Sequence, residues 1–291
     1  MNPHQFEWTE PQLAALRGVA EAAGAAILGV YARLTAPGGE ASVQVEHKAD
    51  QSPVTEADLL ADRLIRARLR IMFNGGAVLS EEGEGADAVD PALGYFLVDP
   101  LDGTKEFLAR NGEFTVNIAW VQAGRVLAGV VHAPALGETF WGAAGVGAWK
   151  STKGPAGAGP DAVVPIRVAA PPIPGARLRV LASRSHGGAA QRAYLSRLAS
   201  HLPQTPACIA AGSSLKFCRL AEGAADLYPR LSATMAWDTA AGQGVLEAAG
   251  GVVLGTEGAP LRVPGRPREA PNPPFFAASG AELARQAVAL L

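Results

Sequence analysis

At residues 95–104 the chain reads Tyr-Phe-Leu-Val-Asp-Pro-Leu-Asp-Gly-Thr. Four apolar residues lead directly into two carboxylates, Asp99 and Asp102, which predicts a buried strand ending in a polar turn. Pro100 restrains the backbone of the residue before it, and Gly103 permits a sharp turn. Such a turn can direct both carboxylates and the Leu101 carbonyl to one place, as hard oxygen ligands for Mg²⁺ or Mn²⁺. The spacing alone is equally compatible with a polar turn in which a carboxylate caps the next element.

Other acidic residues also stand at the ends of predicted elements. Glu81 and Glu82 follow the apolar run at 77–79, where a solvated acidic loop is the alternative interpretation. Asp238 precedes a helix of small residues, and taken alone it is better explained as an ordinary N-cap. Asp58 lies near the start of another predicted helix, where a negative charge is favourable in any case. Taken singly, these residues do not require a ligand.

The composition is that of a globular protein with balanced charge. The chain has 291 residues, 48% of them hydrophobic, with 25 basic and 27 acidic residues and a net charge of −2. Electrostatic binding of nucleic acid needs a basic surface, so we expect no nucleic acid partner. Cys208 and Cys218 fit neither a disulfide scaffold nor a zinc spacing, and we expect both to be buried small residues.

No run reaches the roughly 18 uncharged apolar residues that a membrane-spanning helix needs. The first ten residues also lack the basic-then-apolar order of a secretory signal. We therefore expect no transmembrane segment and a cytoplasmic location, which leaves room for peripheral association with the inner membrane.

The sequence predicts two domains with different patterns of helices and strands. Between 154 and 176 the chain is rich in proline and glycine, which predicts a boundary between an α+β domain at 1–153 and an α/β domain at 154–291. In the helix predicted at 55–72, Leu59, Leu60, Leu64, Ile65, Leu69 and Met72 form the expected apolar face. The other predicted helices are 11–34, 189–202, 214–222 and 239–249, and the predicted strands are 77–79, 95–98, 114–121, 126–131, 178–182 and 252–254. The first half is expected to hold a mostly antiparallel sheet.

The four acidic blocks occur in an order that resembles a known family. The blocks are Asp58, Glu81-Glu82, Asp99-Pro-Leu-Asp-Gly-Thr104 and Trp237-Asp238-x-x-x-Gly242. In this order they are similar to those of the inositol monophosphatase-like, lithium-sensitive phosphatase superfamily, and the resemblance spans roughly 48–274. It implies a layered αβαβα sandwich and a Mg²⁺-dependent phosphatase.

Three further blocks resemble the bacterial 3′(2′),5′-bisphosphate nucleotidases of the CysQ type. They are Lys48-Ala49-Asp50-x-Ser52-Pro53-Val54-Thr55, Ser183-Arg184-Ser185-His186 and Gly212-Ser213-Ser214-Leu215-Lys216-Phe217-Cys218, and the extension Lys105-Glu106-Phe107 after Thr104 is similar as well. The second follows a strand, at the edge of an α/β sheet where ligands bind, although His186 can also be read as a surface histidine. The third opens a helix, and free amides plus Lys216 suit an anion, although plain helix capping explains the serines too.

The resemblance also implies roles for individual residues. One Mg²⁺ would be held by Glu81, Asp99 and the Leu101 carbonyl, and a second by Asp99, Asp102 and Asp238, with Mn²⁺ as a substitute. A third, weaker ion is expected near Glu81 and Asp58. Thr104, hydrogen-bonded to Asp58, would orient the attacking water and accept its proton. The expected substrate contacts are Gly103, Thr104, Lys105, Ser183, His186, Gly212, Ser213, Lys216 and Asp238.

The substrate implied by the resemblance is adenosine 3′,5′-bisphosphate, with 3′-phosphoadenylyl sulfate as a second candidate and sulfate assimilation as the setting. The alternatives are an inositol or sugar-phosphate phosphatase on the same fold and, more distantly, a non-catalytic regulatory protein. A homodimer is left open.

Overall fold

The computed structural model describes residues 7–38, 43, 45–47, 53–83, 89–153, 161–171, 175–183 and 188–291. These residues form seven helices and fourteen strands. The helices are α1 (Glu10–Thr35), α2 (Glu56–Met72), α3 (Thr104–Leu108), α4 (Ala189–Ser200), α5 (Leu215–Ala221), α6 (Ala240–Ala248) and α7 (Ala281–Ala289). The strands are β1 (Val45–His47), β2 (Pro53–Thr55), β3 (Val78–Ser80), β4 (Tyr95–Asp102), β5 (Thr115–Gln122), β6 (Arg125–Ala133), β7 (Glu138–Ala143), β8 (Gly147–Thr152), β9 (Ala162–Pro165), β10 (Arg179–Ser183), β11 (Ala207–Ala211), β12 (Leu227–Arg230), β13 (Val252–Gly255) and β14 (Phe275–Ala278).

The elements stack in five layers. α1 and α2 cover one face of a seven-stranded sheet of order β3-β4-β5-β6-β7-β8-β9, in which only the β3–β4 pair is parallel. α5 and α6 lie between this sheet and a five-stranded sheet of order β11-β10-β12-β14-β13. α4 and α7 cover the far side of the second sheet. The αβαβα sandwich and the mostly antiparallel first sheet are therefore confirmed.

Each interface between layers has its own apolar core. Leu16 and Ile65 pack beneath the outer helices against strand residues such as Ile118. Phe217 and Leu246 fill the layer between the two sheets. A third cluster lies under α4 and α7, and its members include Tyr194, Leu198, Phe276 and Ala284. Apolar burial on both faces of both sheets provides the main stabilisation of the sandwich.

Within the described residues, α1 is the one helix long and apolar enough to cross a membrane by length and composition. Leu13, Leu16 and Ile27 on this helix are buried against the first sheet. A core helix passes the same test, and this packing accounts for the apolar character of α1.

The buried face of α2 differs from the predicted one. Leu59 and Leu60 are 37% and 39% exposed, and Met72 is also exposed, whereas Ile65 is buried as predicted. Asp58 lies on the inner face, one residue away from the expected leucines. The prediction placed only apolar residues on the buried face of α2, but that face also carries the polar side chain of Asp58.

Two smaller expectations are also corrected. β4 does not end at Val98 but continues to Asp102, with an irregularity in its pairing with β5 between Asp99 and Asp102. Cys218 is buried as expected, but Cys208 is exposed. The boundary at 153/154 stays a prediction, because residues 154–160 lie outside the described part of the chain. β9 follows that position and still pairs with β8 in the first sheet.

α6 lies unusually close to β6. A Cβ added to Gly129 on β6 would lie 2.1 Å from the Ala241 carbonyl oxygen, and one on Gly244 would lie 2.9 Å from the backbone of Ala128. The helix and strand backbones therefore touch without intervening side chains. Because Asp238 stands just before α6, this contact sets its height above the sheet that carries Asp99.

We predict that Gly129→Ala lowers the free energy of unfolding by about 1–3 kcal/mol, since the new methyl group overlaps the α6 backbone. Gly29→Ala is the control, because Gly29 lies in α1 and a Cβ added there would meet nothing within 4 Å. That variant should gain about 0.5–1 kcal/mol from helix propensity. Urea denaturation followed by circular dichroism measures both, and a Gly129→Ala protein as stable as the parent would contradict the close contact.

Candidate active site

Three separated segments bring carboxylates to one point. Glu81 follows β3 and Asp99 lies within β4, and these parallel neighbours end at the same edge of the first sheet. Asp238 reaches the point from the turn before α6. One carboxylate oxygen from each of these residues lies within 4.8 Å of the others. Three of the acidic blocks, which are separated in the sequence, thus form a compact cluster in space.

Burial and mutual repulsion act on this cluster. Asp99 is 2% exposed, and burial followed by the charge of Glu81 raises its pKa well above the usual range. Burial followed by the charge of Asp102 raises the pKa of Asp238 to about 8. The amide of Met235 donates to Asp238 Oδ2 at 2.8 Å, and that of Leu101 donates to Asp99 Oδ1 at 3.1 Å. A divalent cation would relieve the repulsion, and the all-oxygen donor set fits Mg²⁺ or Mn²⁺.

Asp102 lines the same cavity, and one of its oxygens is held by the protein. Its Oδ2 accepts from the Ser214 amide at 2.8 Å, from Asn117 Nδ2 at 3.2 Å and from Thr115 Oγ1 at 3.5 Å. The Asn117 amide also donates to Ser214 Oγ at 2.9 Å, and Ser214 Oγ donates to the Asp238 carbonyl at 2.7 Å. This network orients Asp102 so that Oδ1 is the oxygen left for a ligand.

Asp58 and Thr104 meet as the sequence predicts. Thr104 Oγ1 lies 3.3 Å from Asp58 Oδ1 and 3.4 Å from the Leu101 carbonyl, and it can donate to either. Asp58 Oδ2 accepts from the amide and the hydroxyl of Thr55, at 2.8 and 2.6 Å. Burial raises the pKa of Asp58, opposed by the hydrogen bonds from Thr55. The capping box of α2 therefore fixes the carboxylate that faces Thr104.

A cavity of about 310 Å³ adjoins the carboxylates. Lys105 is exposed at its wall, and Gly103, at a φ of 90°, turns the chain into α3. The predicted site residues that line the cavity are Glu81, Asp99, Leu101, Asp102, Gly103, Thr104, Lys105, Gly212, Ser213, Lys216 and Asp238. His186 and the side chain of Ser183 lie outside the described residues, so their roles stay predictions.

Lys216 is the buried cation of this cavity. It is 5% exposed, and its Nζ donates to the Ser213 carbonyl at 2.6 Å and to the Ala211 carbonyl at 3.2 Å. Burial lowers its pKa to about 8, opposed by the charge of Asp102. Two of the three ammonium protons are thus taken by backbone, which leaves one for a group in the cavity.

The amides before α5 differ from the sequence interpretation. The sequence predicts free amides for an anion, but the Gly212 amide donates to Glu113 Oε2 at 2.9 Å and the Ser214 amide donates to Asp102. The protein's own carboxylates occupy these positions. Ser213 adopts a left-handed φ of 49°, and its Oγ donates to the Asp102 carbonyl at 2.8 Å. This turn braces the metal-ligand candidates rather than offering bare amides.

Sequence reasoning missed several lining residues, namely Tyr228, Arg230 and Thr234. Among the described residues that line the cavity, Arg230 supplies the one guanidinium, and its charge lowers the pKa of Asp238 against the effects of burial. It ends β12, which Pro229 concealed because proline is rare inside strands. A short apolar run ending in a charged residue is the signal that could have revealed it.

Comparison with known proteins agrees with this geometry. The model of the inositol monophosphatase family matches residues 8–289. The chain belongs to the inositol monophosphatase family. Among its relatives in that family, the 3′(2′),5′-bisphosphate nucleotidase CysQ of Escherichia coli K12 is 44% identical over 90% of this chain and 96% of its own length.

Solved structures of other proteins have the same fold as this chain. The crystal structure of CysQ from Bacteroides thetaiotaomicron superposes with a TM-score of 0.74 at 34% identity, covering 93% of this chain and 98% of the other. An inositol monophosphatase from Anabaena superposes with a TM-score of 0.69 at 23% identity, covering 97% of this chain and 95% of the other, and shares the fold.

We predict that, without a divalent cation, the protein loses stability as the pH rises from 5 to 9. Folding raises the pKa values of Asp99 and Asp238, the latter to about 8, so the folded protein holds protons that the unfolded chain has released. Asp238→Asn removes one charge and should raise the free energy of unfolding at pH 9 by about 1–3 kcal/mol.

Urea titrations in EDTA at pH 5, 7 and 9 measure this effect, with the exposed Asp161→Asn as the control. Adding Mg²⁺ should restore the stability of the parent protein at pH 9 but restore much less in Asp238→Asn, which already lacks the repulsion. The comparison with Asp238→Asn cancels the opposing contributions of His132 and Lys216, whose pKa values folding lowers to about 4 and about 8. A parent protein that loses no more stability between pH 5 and 9 in EDTA than Asp238→Asn does would show that the carboxylates do not repel as described.

Proposed function

We propose that this protein is a metal-dependent phosphatase that removes the 3′-phosphate of adenosine 3′,5′-bisphosphate to give AMP and phosphate. The observation that carries the proposal is the cluster of Glu81, Asp99 and Asp238 beside a cavity whose lining also includes three cationic side chains: Lys105, Lys216 and Arg230. Acidic and basic groups at one cavity suit a substrate with two phosphates. The 44% identity to bisphosphate nucleotidases over nearly the whole chain supports the same substrate.

The chain offers two overlapping sets of metal ligands. Glu81, Asp99 and the Leu101 carbonyl would hold one Mg²⁺, and Asp99, Asp102 and Asp238 a second, with Asp99 common to both. Mn²⁺ accepts the same ligands. When bound, such ions polarise phosphoryl oxygens and lower the pKa of water. The buried position of Asp99 fits its shared role, because a fully desolvated carboxylate binds a cation more strongly.

Asp58 and Thr104 would position the attacking water. When the Thr104 hydroxyl donates to Asp58, its oxygen is left as an acceptor facing the cavity. A water that donates to this oxygen is oriented toward phosphorus, and its proton passes through the hydroxyl to the carboxylate. The raised pKa of Asp58 suits it to receive that proton.

Lys216 and Arg230 would bind the phosphate that is not cleaved. A dianionic phosphate near Lys216 would raise the pKa of the ammonium group back from about 8 and hold it charged. The contacts from Lys105, Ser183, His186, Gly212 and Ser213 to the nucleotide belong to this proposal. 3′-Phosphoadenylyl sulfate carries the same 3′-phosphate and is the second proposed substrate, which places the enzyme in sulfate assimilation. The cytoplasmic location and the homodimer stay predictions.

Phosphate release from adenosine 3′,5′-bisphosphate and from myo-inositol 1-phosphate, measured side by side with Mg²⁺ and with EDTA, tests the proposal. We expect release that depends on Mg²⁺ and a kcat/KM at least about 100-fold higher for the bisphosphate, since two buried or half-buried cations face its second phosphate. A preference for the inositol ester would retain the metal chemistry and reject the nucleotide. No release from either substrate would favour the regulatory alternative.

Lys216→Met separates nucleotide binding from the metal chemistry. It keeps most of the side-chain volume and removes the charge, so KM for the bisphosphate should rise about 10- to 100-fold. The value for a simple sugar monophosphate should change by less than about threefold. Lys153→Met, at an exposed lysine after β8, is the matched control. Equal effects of Lys216→Met on the two substrates would remove Lys216 from the nucleotide site.

A further inference from the structure

We propose that Arg268 is a positioning residue for the metal site: it holds the loop that carries Glu81 against the part of the chain that carries Asp238. This inference rests on the proposed function, because it concerns the same metal ligands. Arg268 belongs to the loop between β13 and β14 in the second half of the chain, whereas Glu81 follows β3 in the first half.

The guanidinium of Arg268 binds the backbone of the Glu81 loop at several points. Its Nη2 donates to the Ser80 carbonyl and to the Gly83 carbonyl, the latter at 2.9 Å. Its Nη1 lies 3.5 Å from the carbonyl of Glu81 itself. A planar group with several donors thus spans the turn from Ser80 to Gly83, which a lysine cannot do because its charge is a single point.

The loop also fits the guanidinium sterically. A Cβ on Gly83 would lie 3.1 Å from Arg268 Nη2 and 2.3 Å from Arg66 Nη1. The backbone of this turn therefore lies directly against the ends of both arginine side chains.

The Glu81 loop needs such a hold because of its place in the sheet. β3 has three residues and pairs with β4 alone, at the edge of the seven-stranded sheet. Beyond it, the Glu81 amide donates to the Val98 carbonyl at 3.0 Å. A short edge strand provides little rigidity of its own.

The same β13–β14 loop also fastens the turn that carries Asp238. Asn272 donates its amide to the Thr234 carbonyl at 2.7 Å and its Nδ2 to the Met235 carbonyl at 2.9 Å and to Thr239 Oγ1 at 2.8 Å. Arg268, which anchors the Glu81 loop, and Asn272, which anchors the Asp238 turn, are therefore only four positions apart in the chain. Through this one segment, the two outer ligands of the cluster are held at a fixed separation.

Charge and position predict opposite effects of removing Arg268. Loss of a positive charge near the carboxylates would by itself strengthen cation binding. Loss of the hydrogen bonds from Arg268 to the Glu81 loop lets the mutually repelling carboxylates of Glu81, Asp99 and Asp238 separate, which weakens cation binding. The direction of the change therefore identifies the role of the residue.

The experiment compares Arg268→Met, Arg268→Lys and the control Arg266→Met in the full chain. Arg266 lies two residues away, is 78% exposed and pairs with Glu269 at the surface, so its loss removes the same charge without touching the Glu81 loop. Mn²⁺ binding is measured by the amplitude of the free-ion signal in electron paramagnetic resonance. The Mg²⁺ dependence of phosphate release is measured in parallel.

We expect the Kd for Mn²⁺ to rise about tenfold in Arg268→Met, with a smaller rise in Arg268→Lys and no change in Arg266→Met. The Mg²⁺ concentration for half-maximal activity should rise by a similar factor, while kcat at saturating Mg²⁺ stays within about threefold of the parent. Lower thermal stability with unchanged Mn²⁺ affinity would overturn the inference, as would tighter binding.

If Arg268→Met does not fold, Arg268→Lys decides: parental Mn²⁺ affinity in that variant would show that charge alone is needed and would overturn the positioning role. Failure of the proposed function gives a different result. In that case the parent protein itself binds no Mn²⁺ in this range and releases no phosphate, whatever residue occupies position 268.

Discussion

The structure depends on holding several carboxylates closer together than their charges favour. Oxygens of Glu81, Asp99 and Asp238 lie within 4.8 Å of one another, and Asp99 is almost completely removed from solvent. Like charges in a desolvated site repel strongly, and the raised pKa values of Asp99 and Asp238 express that cost. Such instability at one point is expected where carboxylates are grouped to hold a cation, and the rest of the sandwich must supply the compensating stability.

The layered architecture supplies this compensating stability through backbone packing and ion pairs around the carboxylates and through hydrogen bonds to two of them. α6 rests with its backbone directly on β6, so the turn before it cannot shift relative to the first sheet. The Ser214 amide and Asn117 fix one oxygen of Asp102, and the capping box of α2 fixes Asp58. A ring of ion pairs among Glu138, Lys150, Arg219 and Glu222 ties α5 to strands of the first sheet. Each ligand candidate is thus oriented by groups that stay uncharged or are paired.

Several residues with proposed functional roles also depart from ordinary packing. Asp58 occupies the inner stripe of α2, and leucines lie outside it. Lys216 is buried with its ammonium group on backbone carbonyls, and Ser213 adopts a left-handed conformation beside Asp102. These departures from simple amphipathic and conformational rules concentrate around one cavity, and such departures are typical of functional sites.

The amino-acid sequence alone was enough to predict the long helices, the two strands at 114–121 and 126–131 and, from the order of the acidic blocks, the family, because hydrophobic periodicity and motif spacing are local properties of the chain. Through the resemblance to that family, it also predicted that Thr104 lies within hydrogen-bonding distance of Asp58 and that Asp99 lies close to Asp238. Tertiary packing was needed to show that the backbone amides before α5 donate hydrogen bonds to the protein's own carboxylates, Glu113 and Asp102. It was also needed to show that Arg230 lines the cavity and that Arg268 spans the Glu81 loop. Those relations join residues up to 188 positions apart in the chain. They arise from the packing of two sheets through a shared helical layer, and local patterns carry no record of which distant backbone a side chain will meet.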